Sequence, residues 1–215
     1  MTIEKINRMN DVLIGILTVV YLNLLWVVFT VLGLGIFSIG PSSYALMKYY
    51  DRWFRLKEKP AITKSFWKYF KERYRQSLVI SWIQIGAIGI VIVNLFTTNQ
   101  WYIKTANAFA LVLLVFLFSH VYTIMAATTY QTIKEILKGS AMVGFGYLHY
   151  SIISWTVIIG AYLLASKYSP ALLFIAGIGF VGAVLGFAGK LILTEFTPKK
   201  DDLFEQDTMN QSHSL

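Results

Sequence analysis

The chain contains no cysteine. That excludes disulfides, thiolate metal sites and cysteine nucleophiles, and it leaves the redox compartment unmarked. Histidine is scarce: His120, His149 and His213 stand far apart, and none sits in an HExxH pattern. No paired-carboxylate motif occurs. Charge is also thin, at 14% of 215 residues, against about 25% in soluble domains. A soluble domain of this size needs more charge to cover its surface. A secreted enzyme, a disordered tail protein and a soluble nucleic-acid binder are therefore excluded.

What remains is apolar. Hydrophobic residues make up 56% of the chain, and the mean hydropathy is +0.59. The net charge of +8 sits between apolar blocks, so the positive-inside rule explains it better than nucleic acid does. Five stretches carry no charge: residues 12–47, 76–103, 105–133, 139–166 and 168–189. Each is long enough to cross a hydrocarbon core of about 30 Å, which takes roughly 20 helical residues. Lys5 and Arg8 precede the first stretch as in a signal peptide, but the run is longer than an h-region and no A-x-A-like site follows. It reads as a retained span.

The first stretch is too long for one crossing, about 54 Å as a helix. Gly33, Gly35, Gly40 and Pro41 divide it; glycine weakens a helix, and proline suits the first turn of a new one. The expected elements are a span near 12–32, a turn, and a second helix near 41–57 carrying Lys48, Asp51, Arg52 and Arg55. Further spans are expected near 78–97, 106–130, 147–166 and 171–190. If the second helix crosses, every Lys and Arg except Lys104 and Lys167 shares one side with both termini; if it is half-buried or interfacial, Lys5 and Arg8 move to the other. Charge asymmetry favours the crossing. The prediction is an all-α, polytopic transmembrane bundle of five to six crossings, with a single domain over 1–196 and a polar, disordered tail over 197–215. The termini are expected on the cytoplasmic face of a bacterial plasma membrane.

Ten of the 19 basic residues fall between Lys48 and Arg75. Lys64, Lys68, Lys71 and Arg75 recur at helical spacing and form one stripe, while Phe66, Trp67, Phe70 and Tyr74 occupy a neighbouring arc. Thr63, after Pro60, reads as an N-cap. This predicts an amphipathic interfacial helix with aromatics towards the bilayer and lysines towards anionic lipid headgroups. The alternative is a docking surface for a partner.

Two apparent nucleotide motifs fail. Gly177, Gly179 and Gly182 spell G-x-G-x-x-G, but inside an apolar span rather than between strand and helix. Gly189-Lys190 lacks the first glycine and the Ser or Thr of a P-loop. Gly179, Gly182, Gly186 and Gly189 instead line one helix face, where bare backbone admits a close neighbour, most simply within the same chain. His120 lies mid-span between Ser119 and Thr123, which marks it as a possible intramembrane polar site. No acid stands in a span interior near it, so the plainer reading is a neutral, hydrogen-bonded imidazole. Asn23, Gln84, Asn94 and Asn107 read as interhelical hydrogen-bonding groups. No cofactor, metal or catalytic constellation is expected.

The stretch from Asn23 to Gln76 resembles the YesL-like family of bacterial integral membrane proteins of unknown function. The resemblance is carried by Asn23 and Trp26 in N-L-L-W, by Ile39, Gly40 and Pro41, by Ala45 and Leu46, and by Phe66, Phe70, Tyr74 and Gln76 in the aromatic-basic segment. It departs at Gly35, where the family usually has proline, and at Ser38, where threonine is common. Such proteins often accompany sugar ABC importers and polysaccharide-degrading enzymes in Gram-positive bacteria. The resemblance therefore implies an accessory or regulatory role in carbohydrate uptake, with an importer permease as partner, and brings no catalytic residues. A small transporter acting alone is the alternative.

Overall fold

The computed structural model describes residues 3–196, and every element in it is helical. The expected tail at 197–215 lies outside the described residues. The elements are α1 (Ile3–Leu32), α2 (Ile39–Phe54), α3 (Ile62–Glu72), α4 (Tyr74–Thr97), α5 (Trp101–Ser119), α6 (Val121–Ala127), α7 (Ile133–Gly146), α8 (Leu148–Tyr168) and α9 (Ala171–Phe196). Among them are five apolar spans: Asn7–Leu32, Tyr74–Thr97, Trp101–Ala127, Leu148–Tyr168 and Ala171–Glu195. The all-α membrane bundle is therefore as expected.

The turn after α1 forms where the glycines cluster. Leu34 and Gly35 take positive φ, 60° and 68°, a backbone region that glycine enters without steric cost. The Ser38 hydroxyl donates to the Thr30 carbonyl at 2.9 Å and closes the turn. Pro41 then sits in the first turn of α2, where its missing N–H costs no helix bond.

The 16-residue α2 is not one of the apolar spans, yet it is the most enclosed element. It packs against α1, α3, α4, α6 and α9. Tyr44, Ala45, Leu46, Tyr49 and Tyr50 are buried in the main core. Lipid is as apolar as a core side chain, so in a bilayer close packing and hydrogen bonds must hold such a centre together. Two glycines show how close the packing is. A Cβ on Gly40 would lie 2.1 Å from the Ser77 carbonyl oxygen of α4, and one on Gly179 would lie 2.6 Å from the Val19 oxygen of α1.

Three local differences from the sequence reading have physical causes. The α3 helix begins at Ile62 with Ala61 as N-cap; Thr63 lies inside the first turn, its hydroxyl 2.7 Å from the Tyr21 hydroxyl of α1. The 106–130 span is broken at His120 into α5 and α6. Finally, α7 was not expected, because Lys134, Glu135 and Lys138 interrupt its apolar pattern. Its start is nonetheless written in a capping box: Thr132 accepts from the Glu135 N–H while the Glu135 side chain accepts from the Thr132 N–H.

The glycine contacts generate a paired test. Gly40→Ala forces a methyl into backbone and should destabilise the protein by about 1–3 kcal/mol, the usual cost of overpacking. Gly86→Ala in α4 meets nothing within 4 Å and should hold or raise stability, since alanine is the better helix former. Thermal unfolding of both variants in detergent makes the comparison.

Candidate functional site: a polar cluster at a broken span

The α5–α6 break gathers the buried polar groups His120, Thr123, Ser140 and Ser151. His120 stands between the helices at φ −101° and ψ 3°, so the carbonyls ending α5 lose their intrahelical partners. Such groups must be satisfied inside a bilayer. The Ser140 hydroxyl of α7 supplies one donor, to the Leu117 carbonyl. Ser119 Oγ accepts from Trp155 Nε1 of α8 at 2.8 Å. Tyr122 donates to Gln84 Oε1 of α4 at 3.0 Å. Helices from three other parts of the chain therefore meet at this break.

His120 is fully buried. Its Nε2 lies 3.0 Å from Ser151 Oγ, and Ser151 Oγ in turn donates to the Gly144 carbonyl at 3.4 Å. Nδ1 has no hydrogen-bond partner, and neither has buried Thr123 Oγ1 one turn away. No group of three or more His, Cys, Asp or Glu side chains fit to hold a metal occurs among the described residues. The arrangement holds a neutral imidazole between helices.

The other end of α6 is held by two cations. Lys48 Nζ of α2 donates to the Ala126 carbonyl at 2.7 Å. Arg73, at the α3–α4 joint, donates to the Met125 carbonyl at 2.8 Å and also to the Tyr130 carbonyl. Cations at a helix C-terminus complement its dipole. Asp51, one turn from Lys48, is held by Arg55 at 2.6 Å. Beside the break, Gln84, Ser119 and Trp155 join apolar side chains of α4 and α5 around a cavity of about 530 Å³.

The remaining sequence candidates fall elsewhere. The Asn23 carboxamide donates to the Phe174 and Ile175 carbonyls, both at 2.9 Å, and accepts from the Gly179 N–H at 3.0 Å. It thus bridges Ile175 and Gly179, an i, i+4 pair of α9. Trp26 Nε1 donates to Ser43 Oγ of α2 at 3.1 Å. Gly40 and Pro41 are buried at the start of α2. Of the α9 glycines, Gly179 faces Val19 and Asn23, Gly182 faces Leu46 and Tyr50, Gly186 faces Tyr50, and Gly189 faces Thr123. All these neighbours are in the same chain. His149 is exposed against Tyr150, Asn94 is exposed, and Asn107 donates within its own helix.

The expected helix over 63–76 is broken at Arg73, which leaves Lys64, Lys68 and Lys71 on α3 and Arg75 in the first turn of α4. All four are exposed. Phe66 is fully buried, and the Phe66 and Phe70 rings each lie 5.2 Å from Phe29 of α1. Trp67 stays exposed, with the Lys71 ammonium 3.9 Å over its ring. Sequence reasoning missed Lys48, Arg73, Ser151 and Trp155. Their partners are backbone carbonyls or residues distant in the chain, and no local spacing announces such contacts.

Residues 19–95 match the family model described as "Protein of unknown function, DUF624". YteU of Bacillus subtilis (strain 168), an uncharacterized protein, is 27% identical over 71% of this chain and 70% of its own length. YesL of the same organism, also uncharacterized, is 22% identical over 80% of this chain and 83% of its own. The chain is similar to both over most of their length. Asn23, Trp26, Gly40 and Pro41, through which that resemblance was read, all lie inside the matched segment. No solved structure matches the chain. With its five apolar spans, the chain is a multi-pass membrane protein.

Asn23 offers the sharpest test of this architecture. Asn23→Ala strands the Gly179 N–H and two carbonyls in an apolar setting and should cost about 1–3 kcal/mol. Asn107→Ala removes a bond made within one helix and should cost much less. Unfolding followed by circular dichroism in one detergent ranks the two.

Proposed function

We propose that this chain is an accessory or regulatory subunit of the bacterial cytoplasmic membrane, associated with carbohydrate uptake and seated against an importer permease. The observation that carries the reading is the α2–α3 unit. Phe29, Phe66 and Phe70 bind α3 to α1, and α2 is buried beneath it, so Lys64, Lys68 and Lys71 project from a packed wall with Arg75 beside them at the start of α4. A wall of this kind suits recognition of a partner or a surface. The carbohydrate association comes from the company that YesL-like proteins keep.

The termini are assigned to the cytoplasm in this reading. Its support is the packing of α1 on α9: Gly179 meets Val19, while Asn23 reaches back to Phe174 and Ile175. That order is antiparallel and brings the start of the first helix towards the end of the last. Five spans alone would put the termini on opposite faces, so this reading requires one further passage from a shorter helix.

A small transporter is the second reading, favoured by the broken span at His120. Broken helices with buried polar groups mark many transport sites.

Two measurements follow. Reporters active only in the cytoplasm, fused at the N-terminus and at residue 60, should both be active; activity at 60 alone would sink the six-passage arrangement. Purification from native membranes should bring down an importer permease in near-equal amount. Sugar flux by the purified protein alone in liposomes would refute the accessory reading and support the transporter.

A further inference from the structure

The joint between α3 and α4 leaves a cleft open. It is lined by Lys71, Glu72, Arg73, Tyr74, Arg75 and Gln76 and has a volume of about 420 Å³. Its inner wall is fixed. The Arg73 guanidinium is tied to Met125 and Tyr130, Gln76 donates to the Gln131 carbonyl, and the Tyr74 hydroxyl donates to the Phe37 carbonyl at 2.9 Å. Its mouth is cationic, since Lys71 and Arg75 are exposed and neither forms an ion pair among the described residues. Glu72 is the acid in the lining, and its charge also acts on Lys48 and Tyr44 within the bundle. Three cations against one acid leave the cleft positive.

The depth of the cleft follows from the chain itself. The apolar span opens at Tyr74 and runs 24 residues, about 36 Å of helix for a hydrocarbon core of about 30 Å. Its first turn therefore reaches the headgroup layer, where lipid phosphates lie. Trp67 stands beside the cleft, exposed, under the Lys71 ammonium, and indole rings favour that same boundary.

We propose that this cleft binds the phosphate of an anionic phospholipid headgroup, with Lys71 and Arg75 holding the anion and Trp67 seated at the edge of the acyl region. This goes beyond a general attraction of the basic stripe to a charged surface, because it singles out two of the four cations. It rests on the chain lying in a membrane and does not depend on the importer association.

Charge-matched variants test it. Native mass spectrometry of the full chain in neutral detergent, titrated with phosphatidylglycerol, should show one tightly held lipid, and phosphatidylcholine should bind far more weakly. K71Q/R75Q should weaken the phosphatidylglycerol site about tenfold, in line with the usual attraction of two cations to an anionic surface. K64Q/K68Q removes the same charge away from the cleft and should change binding less than twofold. K71R/R75K should restore it. Equal loss in both glutamine pairs would mean diffuse attraction and overturn the site, as would equal affinity for the two lipids or no retained lipid. Displacement of phosphatidylglycerol by millimolar inorganic phosphate would overturn the lipid source in favour of a soluble ligand. If K71Q/R75Q aggregates on size exclusion, R75Q alone carries the comparison, and a loss under twofold overturns the proposal.

Discussion

A helix that stops inside a bilayer leaves carbonyls that lipid cannot hydrogen-bond. The break at His120 poses that problem inside a span, and the rest of the structure depends on how α6, seven residues long, is held beyond it. Its end is closed by Lys48 and Arg73, which come from α2 and from the α3–α4 joint. Those two contacts require α2 to enter the bundle, and they bring the basic segment with it. The charged part of the chain is therefore tied to the centre of the membrane domain.

The same constraint explains the chemistry of the interior. Serine, asparagine and tryptophan side chains there act mainly as donors to backbone or to one another, and Asn23, Ser140 and Trp155 join elements far apart in sequence. Glycine does complementary work. It brings α9 against α1 and α2, and α2 against α4, closely enough for those polar contacts to form. The basic row on α3 stays outside this economy, as does the exposed Trp67, which is why recognition is sought on α3 and its joint with α4.

Much of the fold was legible in the sequence, because charge-free runs of span length have few alternatives to a membrane helix. The glycine face of α9 and the turn before Pro41 were readable for similar reasons: each is a local pattern with a direct steric meaning. The break at His120 was not, since a polar residue in mid-span marks a site but no helix end; the break depends on partners in α7 and α8. The periodicity of α3 separated its aromatic and basic rows. It had no means of saying that Phe66 and Phe70 meet Phe29, because an apolar row fits a protein surface as well as it fits lipid. The helix α7 was hidden by its charges, although its capping box was in plain view at Thr132 and Glu135.

The Asn23 clamp has a consequence for biogenesis. Its partners lie 151 to 156 residues further along the chain. The first helix therefore enters the membrane with a polar amide that has no partner until the last helix arrives. A chain cut short before α9 keeps that amide exposed to lipid, together with the bare faces of α1 and α2 that the glycines would have covered. The bundle thus closes like a clasp, only when its last helix comes to lie against its first.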